Sequence, residues 1–189
     1  MRKLILSMQM SLDGFIEGPA GDPSDIVIDS DEDWDDLFDF LKSVDTFLLG
    51  RVMYPDYENY WSAALKNPTA RKNEIKYAEL AIKTQHIVFS KTMEKANWKN
   101  TIINKGNAEE EVLKLKNAPG KDIEIVGGAT LASSLISSGL VDEYRILVNP
   151  IILGGGKHLF KDLIGKHKLY LTKAKTFKTG VVALHYTAA

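Results

Sequence analysis

Residues 123–160 read IEIVGGATLASSLISSGLVDEYRILVNPIILGGGKHLF, two apolar runs each followed by a glycine cluster. Residues 123–126 have the character of a buried strand, and Gly127-Gly128 turns it into a helical pattern over 131–137. A strand that ends in paired glycines and opens a helix leaves backbone N–H groups unpaired where the helix dipole favours an anion. That geometry suits a phosphate-bearing cofactor. The second run, 144–148, reads as a strand that stops at Pro150 and leads to Gly154-Gly155-Gly156-Lys157.

Strands and helices alternate outward from this block. Residues 4–10 form an apolar strand, and 13–24, rich in Gly, Pro and Asp, form a loop. Trp34, Leu37, Phe38 and Leu41 fall at i, i+3, i+4 and i+7, one apolar face of a helix that starts at Asp31. Residues 46–49 are a short buried strand ending at Gly50-Arg51, where another helix begins. The spacing predicts a helix over 68–83 with Pro68 in its first turn, strands over 86–89 and 101–103, and a helix over 108–116. Residues 168–177 and 181–186, around Lys178-Thr179-Gly180, read as a terminal antiparallel hairpin. Strands separated by helices predict one α/β domain over 1–189, with a largely parallel sheet flanked by helices on both faces.

Composition narrows the functions. The 189 residues carry 24 Lys+Arg against 25 Asp+Glu, a net charge of -1, with no basic stripe, which disfavours nucleic acid. The apolar runs are too short to span a bilayer. The basic and apolar start, MRKLILSMQM, lacks a small-residue cleavage site and is better read as a strand. The absence of cysteine excludes disulfides, thiol catalysis and Cys-based metal sites. The expectation is a cytoplasmic domain that holds no metal.

Several motifs carry chemistry, each beside a plainer reading. Gly50-Arg51 sits at a strand end, where ligands of open α/β sheets gather; an arginine fork there suits a phosphate. A helix-capping glycine beside a surface arginine has the same spacing. Ser90-Lys91 follows another strand end and fits either a 2′-phosphate or a polar turn. The Gly154-Gly155-Gly156-Lys157 run is not a P-loop, because Ile151 stands at the first glycine position and His158 replaces the hydroxyl. The acids Asp29, Asp31, Glu32, Asp33, Asp35, Asp36 and Asp39 fit a solvated helix start, with Asp33 or Asp35 the candidates to turn inward and hydrogen-bond a heterocycle. The four histidines are scattered without zinc-binding spacing.

In order along the chain, MSLDGFI, FLLGRVMY, IVFSKT, the 123–160 block and GVVALHY resemble a dihydrofolate-reductase-like fold. The closest likeness is to the family related to the C-terminal reductase domain of bifunctional riboflavin-biosynthesis deaminase/reductases, over nearly the whole chain. The resemblance implies a mixed, mostly parallel sheet flanked by helices with a C-terminal antiparallel hairpin, a homodimer, and NADPH as cofactor. It places Gly50 and Arg51 at the adenosine 2′-phosphate or the adenine, with Ser90 and Lys91 near the same phosphate. It assigns Gly127, Gly128, Ala129, Thr130 and Leu131 to the pyrophosphate, across a Gly-Gly peptide that is often cis in the wider fold. Met10, Asp13, Gly14 and Ile16 would border the nicotinamide, and the loop through Gly21 would act as a lid. Met53 stands where family members usually have threonine. Val126 stands where the riboflavin-pathway reductases carry glutamate. True dihydrofolate reductases place an acid early in the first helix; ungapped counting back from Gly50-Arg51 lands on Trp34, between Asp33 and Asp35.

The leading expectation is an NADPH-dependent reductase of a small heterocyclic, pterin- or pyrimidine-like substrate. Protonation would come from water or from Asp13, Asp33 or Asp35, with Asp13 first because it ends the first strand. Its plainer role is to orient the turn with Gly14. The alternative is a non-catalytic nucleotide- or small-molecule-binding dimer that has kept the fold. The apolar ILVNPIIL stretch fits either a dimer contact or an internal strand.

Overall fold

The computed structural model describes residues 1–21, 24–26 and 30–189; Asp29 and part of the 13–24 loop lie outside these. Ten strands and five α-helices are defined among the described residues. In chain order they are β1 (Leu4–Ser11), β2 (Phe15–Glu17), α1 (Asp31–Leu41), β3 (Val44–Gly50), α2 (Tyr54–Ala64), α3 (Lys72–Lys83), β4 (Gln85–Phe89) and β5 (Thr101–Asn104). There follow α4 (Ala108–Asn117), β6 (Asp122–Gly127), α5 (Ala129–Ser137), β7 (Glu143–Asn149), β8 (Lys157–His158), β9 (Leu169–Thr176) and β10 (Val182–Ala188).

Eight strands form one sheet in the order β5-β4-β3-β6-β1-β7-β10-β9. The first six run parallel, and β10 pairs antiparallel with both β7 and β9. Side chains alternate between the two faces. Leu4, Leu6, Ile123, Ile125 and Ile146 pack against Val112 of α4 and Leu131, Leu135 and Ile136 of α5. On the other face, Phe47, Leu49 and Val88 pack against Phe38 and Leu41 of α1, Tyr54 and Tyr57 of α2, and Tyr77 of α3. All six parallel strands therefore release their carboxyl ends along one edge of the sheet.

Some local predictions shift. The third helix starts at Lys72 rather than Pro68, because Asn67 closes its own turn: its side-chain oxygen accepts from the Thr69 N–H at 3.0 Å. The helix is then capped by Glu74, which accepts from the Arg71 N–H at 2.9 Å. The loop after β1 and the triple-glycine turn form a small antiparallel pair, β2 with β8. Much of the ILVNPIIL stretch is the internal strand β7, paired on both sides; Ile152 beyond it is exposed. Among the described residues no helix is long and apolar enough to cross a membrane.

Candidate functional site

The parallel strands deliver the glycine-bearing turns to one place. β3 ends at Gly50 and β6 at Gly127, and their backbones touch: a Cβ added to Gly128 would stand 3.0 Å from both Gly50 Cα and Gly50 N. Gly128 itself has φ of 103°, a conformation that side chains rarely adopt. It is also the N-cap of α5 and supplies no side-chain cap. The N–H groups of Ala129, Thr130 and Leu131 thus open a helix without a capping acceptor, as an anion site requires. Leu131 contributes only its backbone here, since its side chain is buried in the core. The Gly127–Gly128 peptide is trans, unlike the cis bond expected from the resemblance.

Flanking strand ends supply the cations. Arg51 follows β3 and Lys91 follows β4, and both are exposed. Ser90 is buried and its hydroxyl oxygen accepts from the N–H groups of Thr92 at 3.2 Å and Met93 at 2.8 Å. Ser90 therefore shapes the turn that carries Lys91 and keeps only its hydroxyl hydrogen for a ligand. Met53 lies directly on Gly127, where a Cβ would overlap its sulfur. A long thioether thus covers the glycine that a shorter hydroxyl residue would leave open.

Around β1, Met10 and Ile16 pack at the edge of the core, and Gly14 has φ of 87°. Asp13 does not stand free. It accepts from Ser11 Oγ at 2.7 Å, the Gly154 N–H at 2.8 Å and the Leu153 N–H at 3.2 Å. These donors, the Ser11 hydroxyl foremost, hold its carboxyl down at about 2. An acid ionised so firmly has no proton to give near neutrality. The expectation of Asp13 as the proton donor gives way to a structural role: it ties the β1 turn to the triple-glycine segment. Further ties join the two segments, from Leu159 N–H to Gly14 O at 3.1 Å and through the Phe15–His158 ring stack at 4.0 Å. A cavity of about 590 Å³ lies beside this clasp, lined by Glu17, Gly21, Lys157 and Lys161 among others.

The α1 acids divide. Asp35 is exposed on the outer side of the helix, which removes it from the cleft. Asp33 is buried in a capping box, its Oδ2 accepting from Ser30 N–H at 3.1 Å and Ser30 Oγ at 2.8 Å. Its Oδ1 is buried with no partner among the described residues. Other such atoms lie on the same face of the sheet: Glu124 Oε2, Arg145 Nε and Asn149 Oδ1. Asn149 ends β7 and donates to Met10 O at 3.2 Å. Sequence reading named neither Glu124, Arg145 nor Asn149; the only signal was a polar residue at an inward position of an apolar strand.

The chain matches the RibD C-terminal domain family over residues 2–183. It is 37% identical over 185 residues to the uncharacterized protein YyaP of Bacillus subtilis (strain 168), covering 98% of this chain and 94% of that one. A putative riboflavin biosynthesis protein from Shewanella sp. PV-4 has a similar structure, with a TM-score of 0.75 at 20% identity over 100% of this chain and 99% of that chain. Dihydrofolate reductase from Enterococcus faecalis, complexed with NADP(H), gives a TM-score of 0.62 at 14% identity over 98% of this chain and 96% of its own. The fold is dihydrofolate-reductase-like.

Proposed function

Because the chain belongs to the RibD C-terminal domain family, we propose that it is an NADPH-dependent reductase that passes a hydride to a small pterin- or pyrimidine-like heterocycle, as a cytoplasmic homodimer. One observation carries the reading: the uncapped N-terminus of α5 opens beside strand ends that present the exposed cations Arg51 and Lys91. Backbone N–H groups for a pyrophosphate and an arginine fork for a further phosphate are what a phosphorylated dinucleotide needs. When bound, NADPH supplies the hydride from its nicotinamide ring. The chain's own work is positional. Ala129, Thr130 and Leu131 hold the pyrophosphate through their N–H groups, and Arg51 with Lys91 holds the 2′-phosphate. Met10, Gly14 and Ile16 wall the nicotinamide and keep water from it. Asp33, with one oxygen unpartnered, accepts from an N–H of the heterocycle, and the proton that follows the hydride comes from water or from Asp33.

The test is a calorimetric titration with NADPH and NADH in parallel. NADPH should bind more tightly than NADH, and Arg51→Ala should weaken NADPH by about tenfold or more while leaving NADH little changed, as expected for losing a charge-assisted bond to phosphate. Failure of both nucleotides to bind removes the reading. Met53 over Gly127 favours a second one, a binding protein without turnover. Saturable NADPH affinity with no oxidation of it on pterins, flavin precursors or nitro-aromatics would select that alternative. Sedimentation at micromolar concentration tests the dimer, which a monomeric profile excludes.

A further inference from the structure

We propose that Glu124 is a positioning residue: through Ser7 it directs the Arg145 guanidinium onto Asp36, and so sets α1, with Asp33, against the sheet. Glu124 lies in β6 and Arg145 in β7, with β1 between them. Ser7 of β1 is paired in register with Arg145 and stands between the two side chains. Its hydroxyl oxygen accepts from Arg145 Nη1 at 3.3 Å, and it is also hydrogen-bonded to Glu124. The other arm of the fork, Nη2, donates to Asp36 of α1. Asp36 also receives Lys175 of β9 at 3.1 Å, and the Arg145 guanidinium lies 5.2 Å from the Phe40 ring centre. One buried cation thus joins the sheet to two turns of α1.

Glu124 and Arg145 each keep one buried atom without a partner, Oε2 and Nε. Opposite charges with unpaired atoms so near each other would be expected to meet. That they do not is explained by the state of Glu124. Its complete burial raises its pKa to about 8 against the pull of Arg145, so near neutrality it is a neutral acid. Asp36, although burial pushes it up, is held below the usual range by Arg145 and Lys175, and is ionised. Arg145 therefore has one anionic partner, and that partner is on α1. The groups facing Glu124 from other elements are the Tyr57 and Tyr77 hydroxyls of α2 and α3, which pair with each other at 3.0 Å. Opposite Arg145 stands His185 of β10, whose pKa burial and Arg145 push down. None of these carries a charge near neutrality that rivals Asp36. Ionising Glu124 would introduce such a rival, and Arg145 would turn from α1 toward β6.

The first experiment is amide hydrogen exchange of α1 across pH, corrected for the intrinsic rate, with Trp34 emission read in a W61F/W98F background. In the native chain, α1 amides should lose protection by about tenfold or more above pH ~8, with Trp34 emission changing in step. Glu124→Gln keeps the Ser7 bond and cannot ionise, so both signals should stay flat. Asp36→Asn should loosen α1 at every pH and remove the pH response. A response that persists in Glu124→Gln, or a native α1 whose protection does not change between about pH 6 and 10, overturns the proposal. The consequence for a bound substrate rests on the reductase reading: its KM should rise above pH ~8 in the native chain and not in Glu124→Gln. Absence of turnover would count against that reading alone, because the exchange measurement needs no activity.

Discussion

Met53 sets how closely any ligand can approach Gly127, since its sulfur fills the space a side chain at that glycine would take. Threonine there would be short enough to uncover the glycine and would add a hydroxyl donor. If pyrophosphate lies at the start of α5, Met53→Thr should tighten NADPH by about fivefold, the worth of one ordinary hydrogen bond. Calorimetry on the purified variant gives the answer. Unchanged or weaker binding would mean that the nucleotide does not pass over Gly127. Arg51 and Met53 thus test opposite ends of the same line, one by losing a contact and the other by gaining one.

At the scale of elements, the contact between the ends of β3 and β6 depends on having no side chains. Gly128→Ala would place a Cβ 3.0 Å from the backbone of Gly50 at a φ of 103°, so strand ends rather than a flexible side chain must move. The expected loss is about 2–4 kcal/mol, read from urea unfolding, and a stability equal to the native chain would show that the strand ends are not in contact. This part of the site was legible in the sequence because its cause is local: glycine is required where a strand turns sharply into a helix. The face of α1 was legible for the same reason, since the period of Trp34, Leu37, Phe38 and Leu41 is written in the chain. Other parts were not. β8 is two residues long and exists only through pairing with β2, so no periodicity could announce it. Asp36 and Arg145 are 109 residues apart, and nothing in either segment indicates that they meet. Glu58 is similar: it sits on α2 and accepts from Tyr54, the Asn97 side chain and the N–H groups of Asn97 and Trp98, clamping a distant loop.

For the whole molecule, two buried groups act on stability in opposite directions. His86 is enclosed by Phe47, Tyr54, Tyr57 and Trp98, and its Nδ1 donates to Thr84 O at 2.9 Å. Burial lowers its pKa from 6.5 to about 4. Between those values the unfolded chain binds more protons, so stability falls as pH drops through the window, by on the order of 3 kcal/mol in full. Glu124 is raised from 4.5 to about 8, so between those values the folded chain binds more protons and stability falls as pH rises. From about 4.5 to 6.5 the two slopes oppose each other and nearly cancel. From about 6.5 to 8 only Glu124 acts, and stability should decline by roughly 1.4 kcal/mol per pH unit. Asp36, Glu58 and Glu74 are held below their usual range, so their stabilisation is present above the unfolded values and is lost in acid. That acid limb is common to the native chain and Glu124→Gln. Urea unfolding across pH should therefore show the variant gaining on the native chain steadily from about 4.5, with the gap levelling above about 8. Parallel profiles would mean that Glu124 is already ionised in the folded protein, with Arg145 as its partner.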